Sequence, residues 1–175
     1  MMHSYPKTYL EDAQHNLGVM FDYAIRLLKY DGDQFFLYFI QSEVAQKFEH
    51  ANPKCIAGMC GIELAQNVLT KIGAAPKFPD DPKIELEKEF WLGWVLAYYQ
   101  WYSGLKFSDL QEYGLVPSEI LSRYILHEAD ISKFVSVAKR PRLMHLCINR
   151  GLLIPLFCQR SQLSREFVSS TVFIL

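Results

Sequence analysis

Apolar residues recur along this chain at steps of three and four, the period of a helix that buries one face. In YLEDAQHNLGVMFDYAIRLLKY (9–30) the residues Leu10, Ala13, Leu17, Met20, Phe21, Ala24, Ile25 and Leu28 share a face, and Asp31-Gly32-Asp33 supplies a turn. Asp33 is the expected cap of the following segment, QFFLYFIQSEVAQKFEHA (34–51), in which Phe36, Phe39, Ile40, Val44 and Phe48 again align. QFFLYFI alone also reads as a strand; the helix-favouring QSEVAQKFEH behind it decides for one continuous helix.

After the loop ANPKCIAGMCG comes a short helix, IELAQNVLTKI, with Gly73 at the position that favours a left-handed C-cap. A proline-rich loop, AAPKFPDDPK, leads into IELEKEFWLGWVLAYYQWYSG (84–104). Here Glu85, Glu87 and Glu89 sit at the positive end of a predicted helix and Gly104 closes it. Apolar residues on more than one side of that helix place it in the middle of the domain. SDLQEYG and SEILSRYILHE flank Leu115-Val116-Pro117, with Ser108 and Ser118 as expected N-caps. ADISKFVSVAK follows, and Pro141 stops it. Alternating strand pairs, Asn-Gly hairpin turns and internal repeats are missing, so the expected fold is all-α: a bundle of about six or seven helices over residues 1–139, with a short helix-turn-helix-like segment over 140–175.

Composition narrows the classes. Half of the 175 residues are apolar and 21% are charged, enough for a real core. No run reaches the roughly 18 uncharged apolar residues that span a bilayer, and MMHSYPKTYLED lacks the order of a secretion signal, so a cytoplasmic protein without a membrane is expected. Four cysteines, Cys55, Cys60, Cys147 and Cys158, are too few and too irregular for a disulfide framework.

Charge changes the picture more. The whole chain is close to neutral at −1, yet residues 139–175 hold Lys139, Arg140, Arg142, Arg150, Arg160 and Arg165 against Glu166 alone. That segment carries +5 and leaves −6 for residues 1–138. A basic terminal segment on an acidic body points to polyanion contact.

Read from Arg142, RLMHLCINRGLLIPLFCQRSQLSREFVSS forms one predicted helix ending at Gly151, a second over Ile154–Ser161 with Pro155 in its first turn, and a third opening at Ser164. Arg150-Gly151-Leu152, Phe157-Cys158, Ser161 and Leu163-Ser164 with Val168 resemble the first half of a Cro/C1-type, phage-repressor-like helix-turn-helix. The segments YLEDAQHNLGVMFDYAI, FWLGWVLAYYQWYSG and LHEADISKFV are also similar to helical proteins of anaerobic gut bacteria, some carrying such a C-terminal domain. The first resemblance implies DNA contact through Arg160, Gln162, Ser164, Arg165 and Ser169, with Arg142 and Arg150 adding non-specific attraction. Departures accompany it. Leu153-Ile154 replaces a polar pair ending in glutamine, Gln162 stands where the turn glycine belongs, and after Ser170 the chain reads only TVFIL, without the closing helices. Weak, mainly electrostatic DNA contact is therefore the expectation, in an antitoxin-like or regulatory protein whose helical body binds a partner protein. The alternative is a helical interaction module without DNA binding.

Catalytic patterns are weak. Cys55 and Cys60 with His50 leave a zinc site one ligand short, and GMCG lacks the Lys-Ser/Thr of a phosphate loop. His127, Glu128 and Asp130 read as punctuation of a helix junction. No catalytic residue, metal or cofactor is expected. The series Trp91, Trp94, Tyr98, Trp101 and Tyr102 suits planar ligands or bases, but burial in the core is the expected fate of such a stripe.

Overall fold

A computed structural model describes residues 4–79 and 82–138. The chain divides into two units, Met1–Lys139 and Arg140–Leu175, and every described residue belongs to the first. Among the described residues the architecture is all-α. The helices are α1 (Leu10–Asp22), α2 (Gly32–Gln41), α3 (Val44–Glu49), α4 (Pro53–Ile56), α5 (Gly61–Ile72), α6 (Lys88–Ser103), α7 (Phe107–Glu112), α8 (Pro117–Leu121) and α9 (Ile131–Ala138). Short 3-10 turns cover Lys7–Tyr9 and Tyr124–Glu128. No helix among the described residues is long and apolar enough to cross a membrane.

The antiparallel pair of α1 and α6 organises the unit. Gln14 Nε2 donates to the Trp94 carbonyl at 3.4 Å, while Trp101 Nε1 donates to the Tyr5 carbonyl at 2.8 Å, so the start of the chain lies along the end of α6. Close approach requires glycine. A Cβ on Gly93 would collide with the Leu17 carbonyl and the Gly18 amide, and one on Gly18 would come within 2.6 Å of the Phe90 ring. Gly61 opens α5 against the Asn16 carbonyl in the same way. Leu17, Met20, Phe21, Leu92, Val95 and Leu96 are fully buried at the centre, with Phe35, Phe36 and Phe39 of α2 packed onto Phe21.

Several local expectations change. The first predicted helix continues past Asp22 as one π-helical turn over Tyr23–Leu27, closed by the Leu28 amide on the Tyr23 carbonyl at 3.0 Å. Asp22, fully buried, takes a two-pronged contact from Arg26, Nε to Oδ1 at 2.9 Å and an Nη to Oδ2 at 3.1 Å. Arg26 also donates to the Lys83 carbonyl and pairs with Glu85 at 3.6 Å, and this anchors the segment that leads into α6.

The predicted helix 34–51 is two helices. Ser42 turns its hydroxyl back to the Phe39 carbonyl at 2.8 Å and accepts from the Val44 amide at 3.3 Å, and Glu43 then takes φ of 63°. Such back-bonding competes with the helical ladder, which breaks here. α6 begins only at Lys88, so Glu85 and Glu87 precede it and Glu89 alone acts in its first turn. Gly73 and Gly104 do close α5 and α6, at φ of 73° and 69°.

Capping departs most. Asp31, not Asp33, caps α2, accepting from the Gln34 amide at 3.0 Å. Ser108 and Ser118 lie inside α7 and α8 instead of capping them. Glu49 accepts from the Phe107 amide at 2.6 Å, and Asp33 accepts from the Ser118 amide at 2.8 Å, so carboxylates from elsewhere in the chain occupy both helix starts.

Candidate functional site

The DNA-contact residues expected from the sequence, Arg142, Arg150, Arg160, Gln162, Ser164, Arg165 and Ser169, lie outside the described residues. Within the described unit the candidate site is the outer side of α6. In the sequence KEFWLGWVLAYYQWYS, the residues Leu92, Val95, Leu96 and Tyr99 form the buried line toward the core. Phe90, Trp94, Tyr98 and Tyr102 follow one another at steps of four, which stacks them on a single ridge, and all four are only half-buried. The expected burial of the aromatic stripe therefore divides. Trp101 is buried at 6% exposure, and Trp91 packs edge-on against Tyr124 and Phe134 at ring separations of 5.5 and 5.8 Å. Tyr98 and Tyr102 are partly buried and pack against the core, while Trp94 stays half-buried.

Packing from both sides orients these rings. Gly18 leaves room for the Phe90 ring, which His15 meets edge-on at 5.7 Å. Trp94 leans on Phe90 at 5.8 Å with a 37° tilt. Tyr98 lies nearly parallel to Tyr102, 12° apart at 6.2 Å, and tilts against Trp101 at 5.8 Å.

On the α9 side, Asp130 accepts from the Ser132 amide at 2.8 Å and so caps that helix; these Ser132 hydrogen bonds hold its carboxyl below the usual range. The Tyr98 hydroxyl is pushed up, first by burial and then by the negative charge of Asp130 beside it. Glu11 is exposed one turn before His15 in α1. Lys88, at the start of α6, pairs with its neighbour Glu89 at 3.7 Å.

Other sequence candidates separate in space or serve structure. Burial pushes the Cys55 thiol up, whereas Cys60 is exposed at the start of α5, where its amide donates to Glu63 at 2.9 Å. His50 Nδ1 lies 2.7 Å from the Gln46 carbonyl. His127 stacks on Tyr124 at 4.3 Å with its Nδ1 2.8 Å from the Tyr124 carbonyl. Among the described residues no three His, Cys, Asp or Glu side chains are grouped to hold a metal ion.

No family model, curated protein or solved structure matches this chain.

Proposed function

We propose that the described unit is a helical protein-interaction module whose docking surface is the outer side of α6. The observation that supports this reading is the ridge Phe90, Trp94, Tyr98 and Tyr102, half-exposed and held in fixed ring orientations by α1 and the neighbouring turn of α6. Aromatic side chains present large contact areas with few rotatable bonds, so ordering them on binding costs little entropy, and they are enriched where proteins anchor one another. Rings needed only for stability gain more from full burial, as Phe21, Phe35 and Phe36 have it.

A photo-crosslinking residue placed at position 94 or 98 tests this in cells that express the full chain. Discrete protein adducts are expected from those positions and not from Thr70, which is exposed on α5. Equal labelling from all three positions sinks the reading.

The charge asymmetry favours a second activity on the same chain. With +5 over residues 139–175 and a segment resembling a Cro/C1-type helix-turn-helix, the tail is proposed to contact DNA, which would make the whole an antitoxin-like or regulatory protein. Binding is then mainly electrostatic: it falls steeply with salt, differs little between duplexes, and weakens similarly on all of them in Arg160→Ala and Arg165→Ala. A salt titration on several unrelated duplexes decides it, and no binding at low salt removes this activity.

A further inference from the structure

We infer that residues 4–6 form a latch that opens and closes over the end of α6 while the helices behind it stay folded. The segment is fastened at one place. Tyr5 is only 4% exposed, whereas Pro6, Lys7, Thr8 and Tyr9 are exposed and Ser4 is half-buried. The Tyr5 ring meets Phe48 edge-on at 6.4 Å, and Phe48 in turn meets Phe107 at 6.1 Å. Pro6 has no amide hydrogen and holds an extended backbone, φ −55° and ψ 142°, so it keeps the segment out of the helical turn that starts at Lys7.

That fastening is weaker than its burial suggests. The Ser4 amide donates to the Trp101 carbonyl and the Ser4 hydroxyl to the Gln100 carbonyl, both at 3.4 Å, the long end of hydrogen bonding. Gln100 Nε2 to the Ser4 hydroxyl at 2.9 Å and Trp101 Nε1 to the Tyr5 carbonyl at 2.8 Å are the shorter contacts. Against them stand two buried polar atoms at the same junction, the Tyr5 hydroxyl and Gln100 Oε1, which have no hydrogen-bond partner among the described residues. A polar atom buried in this way costs its full desolvation, and the same burial pushes the Tyr5 hydroxyl up. Opening returns that hydroxyl to water. The closed latch is therefore held by the apolar area of one ring and opposed by the polar atom at the tip of that ring, so it opens more readily than the core behind it.

The close α1–α6 contact at Gly18 and Gly93 lies about two turns along α6 from Trp101, so it stays in place when residues 4–6 leave. Opening bares the Phe48 ring edge and releases Trp101 Nε1 from the Tyr5 carbonyl. Tyr98 tilts against Trp101 at 5.8 Å, which on the interaction-module reading ties the latch to the docking surface; the latch itself stands without that reading.

Native-state hydrogen exchange on the full chain, followed by NMR, tests the latch with no partner present, so its outcome is separate from that of the crosslinking. The Trp101 indole N–H, which donates to Tyr5, reports the latch, and the Val95 amide in the middle of α6 reports the core. Protection of the indole, corrected for its intrinsic exchange rate, is expected to be about a hundredfold lower than that of Val95. Tyr5→Phe removes the buried hydroxyl and keeps the ring, and it is expected to raise indole protection about fivefold or more. Tyr5→Ala is expected to abolish indole protection while the Val95 amide stays protected and the helical circular dichroism is kept. Equal protection of the indole and Val95 in the wild-type chain overturns the inference, because the segment then opens only with the whole unit. So does a Tyr5→Phe protein whose indole protection is unchanged or lower, because the hydroxyl then does not oppose closure. Loss of Val95 protection in Tyr5→Ala overturns it as well, since Tyr5 is then an ordinary part of the core.

Discussion

The Asp33 carboxylate holds Ser118 twice, accepting from its amide at 2.8 Å and from its hydroxyl at 2.7 Å across 85 residues of chain. Each residue looks, in sequence, like the cap of its own helix. Together they join the first turn of α2 to the first turn of α8, where Pro117 also meets Gly32: a Cβ on that glycine would lie 3.2 Å from the proline side chain. Asp33→Ala is expected to cost about 1–2 kcal/mol, and Ser118→Ala less, because it leaves the amide contact in place. Urea unfolding of both single variants and the double variant checks the coupling. Additive losses would show that the contact contributes nothing of its own.

Glu49 performs the same service for α7 under a different constraint. Burial pushes its carboxyl up, opposed in part by the Phe107 amide at 2.6 Å and by the charge of Lys106. A raised native value means that the folded protein holds this proton more tightly than the unfolded chain does. The contribution of Glu49 to stability is therefore largest below the usual carboxylate range, near pH 4, and is lost as pH rises through its native value. Glu49→Gln keeps an acceptor for the amide and removes the titration. Its stability relative to wild type is expected to rise with pH across that window and then level off, in urea unfolding from pH 4 to 7. A relative stability that declines with pH would mean that the amide contact outweighs desolvation.

Which parts of this arrangement were legible in sequence depends on the range of the interactions that set them. The period of the apolar residues in α1, α5 and α6 depends on local geometry, as do the glycine stops at Gly73 and Gly104, and these elements stand where the pattern puts them apart from the late start of α6 at Lys88. Breaks and caps depend on partners far along the chain. Nothing near Ser118 indicates that Asp33 arrives, and only the hydroxyl of Ser42 hinted at the break before Val44. The aromatic stripe divides for a related reason. Periodicity locates a face of α6 but does not say which face α1 takes; Gly93 decides that, by admitting the α1 backbone on its own side and leaving Trp94 half-buried while Tyr98 packs against the core. A glycine inside a strongly apolar helical run was the available signal.

Lys29 takes φ of 61° immediately after the π-helical turn, where the Tyr30 amide returns to the Ala24 carbonyl at 3.1 Å. It is an exposed residue in a left-handed conformation that costs a side-chain-bearing residue roughly 1–2 kcal/mol. Glycine removes that cost but adds freedom to the unfolded chain, so Lys29→Gly is expected to stabilise by about 0.5–1 kcal/mol net. Lys29→Ala serves as the control, because it removes the charge and keeps the Cβ. Equal gains from both variants would assign the effect to charge instead of backbone.

The last prediction joins the fold to the site. Gly93 faces the Leu17 carbonyl and the Gly18 amide so closely that a methyl group fits only if α6 moves away from α1. Both obstacles are backbone, and backbone in a packed helix pair cannot yield by a rotamer change, so Gly93→Ala is expected to cost about 3 kcal/mol or more. Gly73 offers the contrast: a Cβ there meets nothing within 4 Å, and Gly73→Ala is expected to cost only the roughly 1–2 kcal/mol of its left-handed conformation. Displacing α6 also withdraws Phe90 from the space above Gly18 and tilts Trp94, which leans on Phe90, away from the α1 edge. Gly93→Ala is therefore expected to shift tryptophan emission and to weaken crosslinking from position 94 in the fraction that remains folded, whereas Gly73→Ala changes neither. Thermal unfolding followed in parallel with tryptophan emission measures stability and ring displacement on the same samples. A Gly93→Ala protein with wild-type stability would show that α1 and α6 do not meet through their glycines.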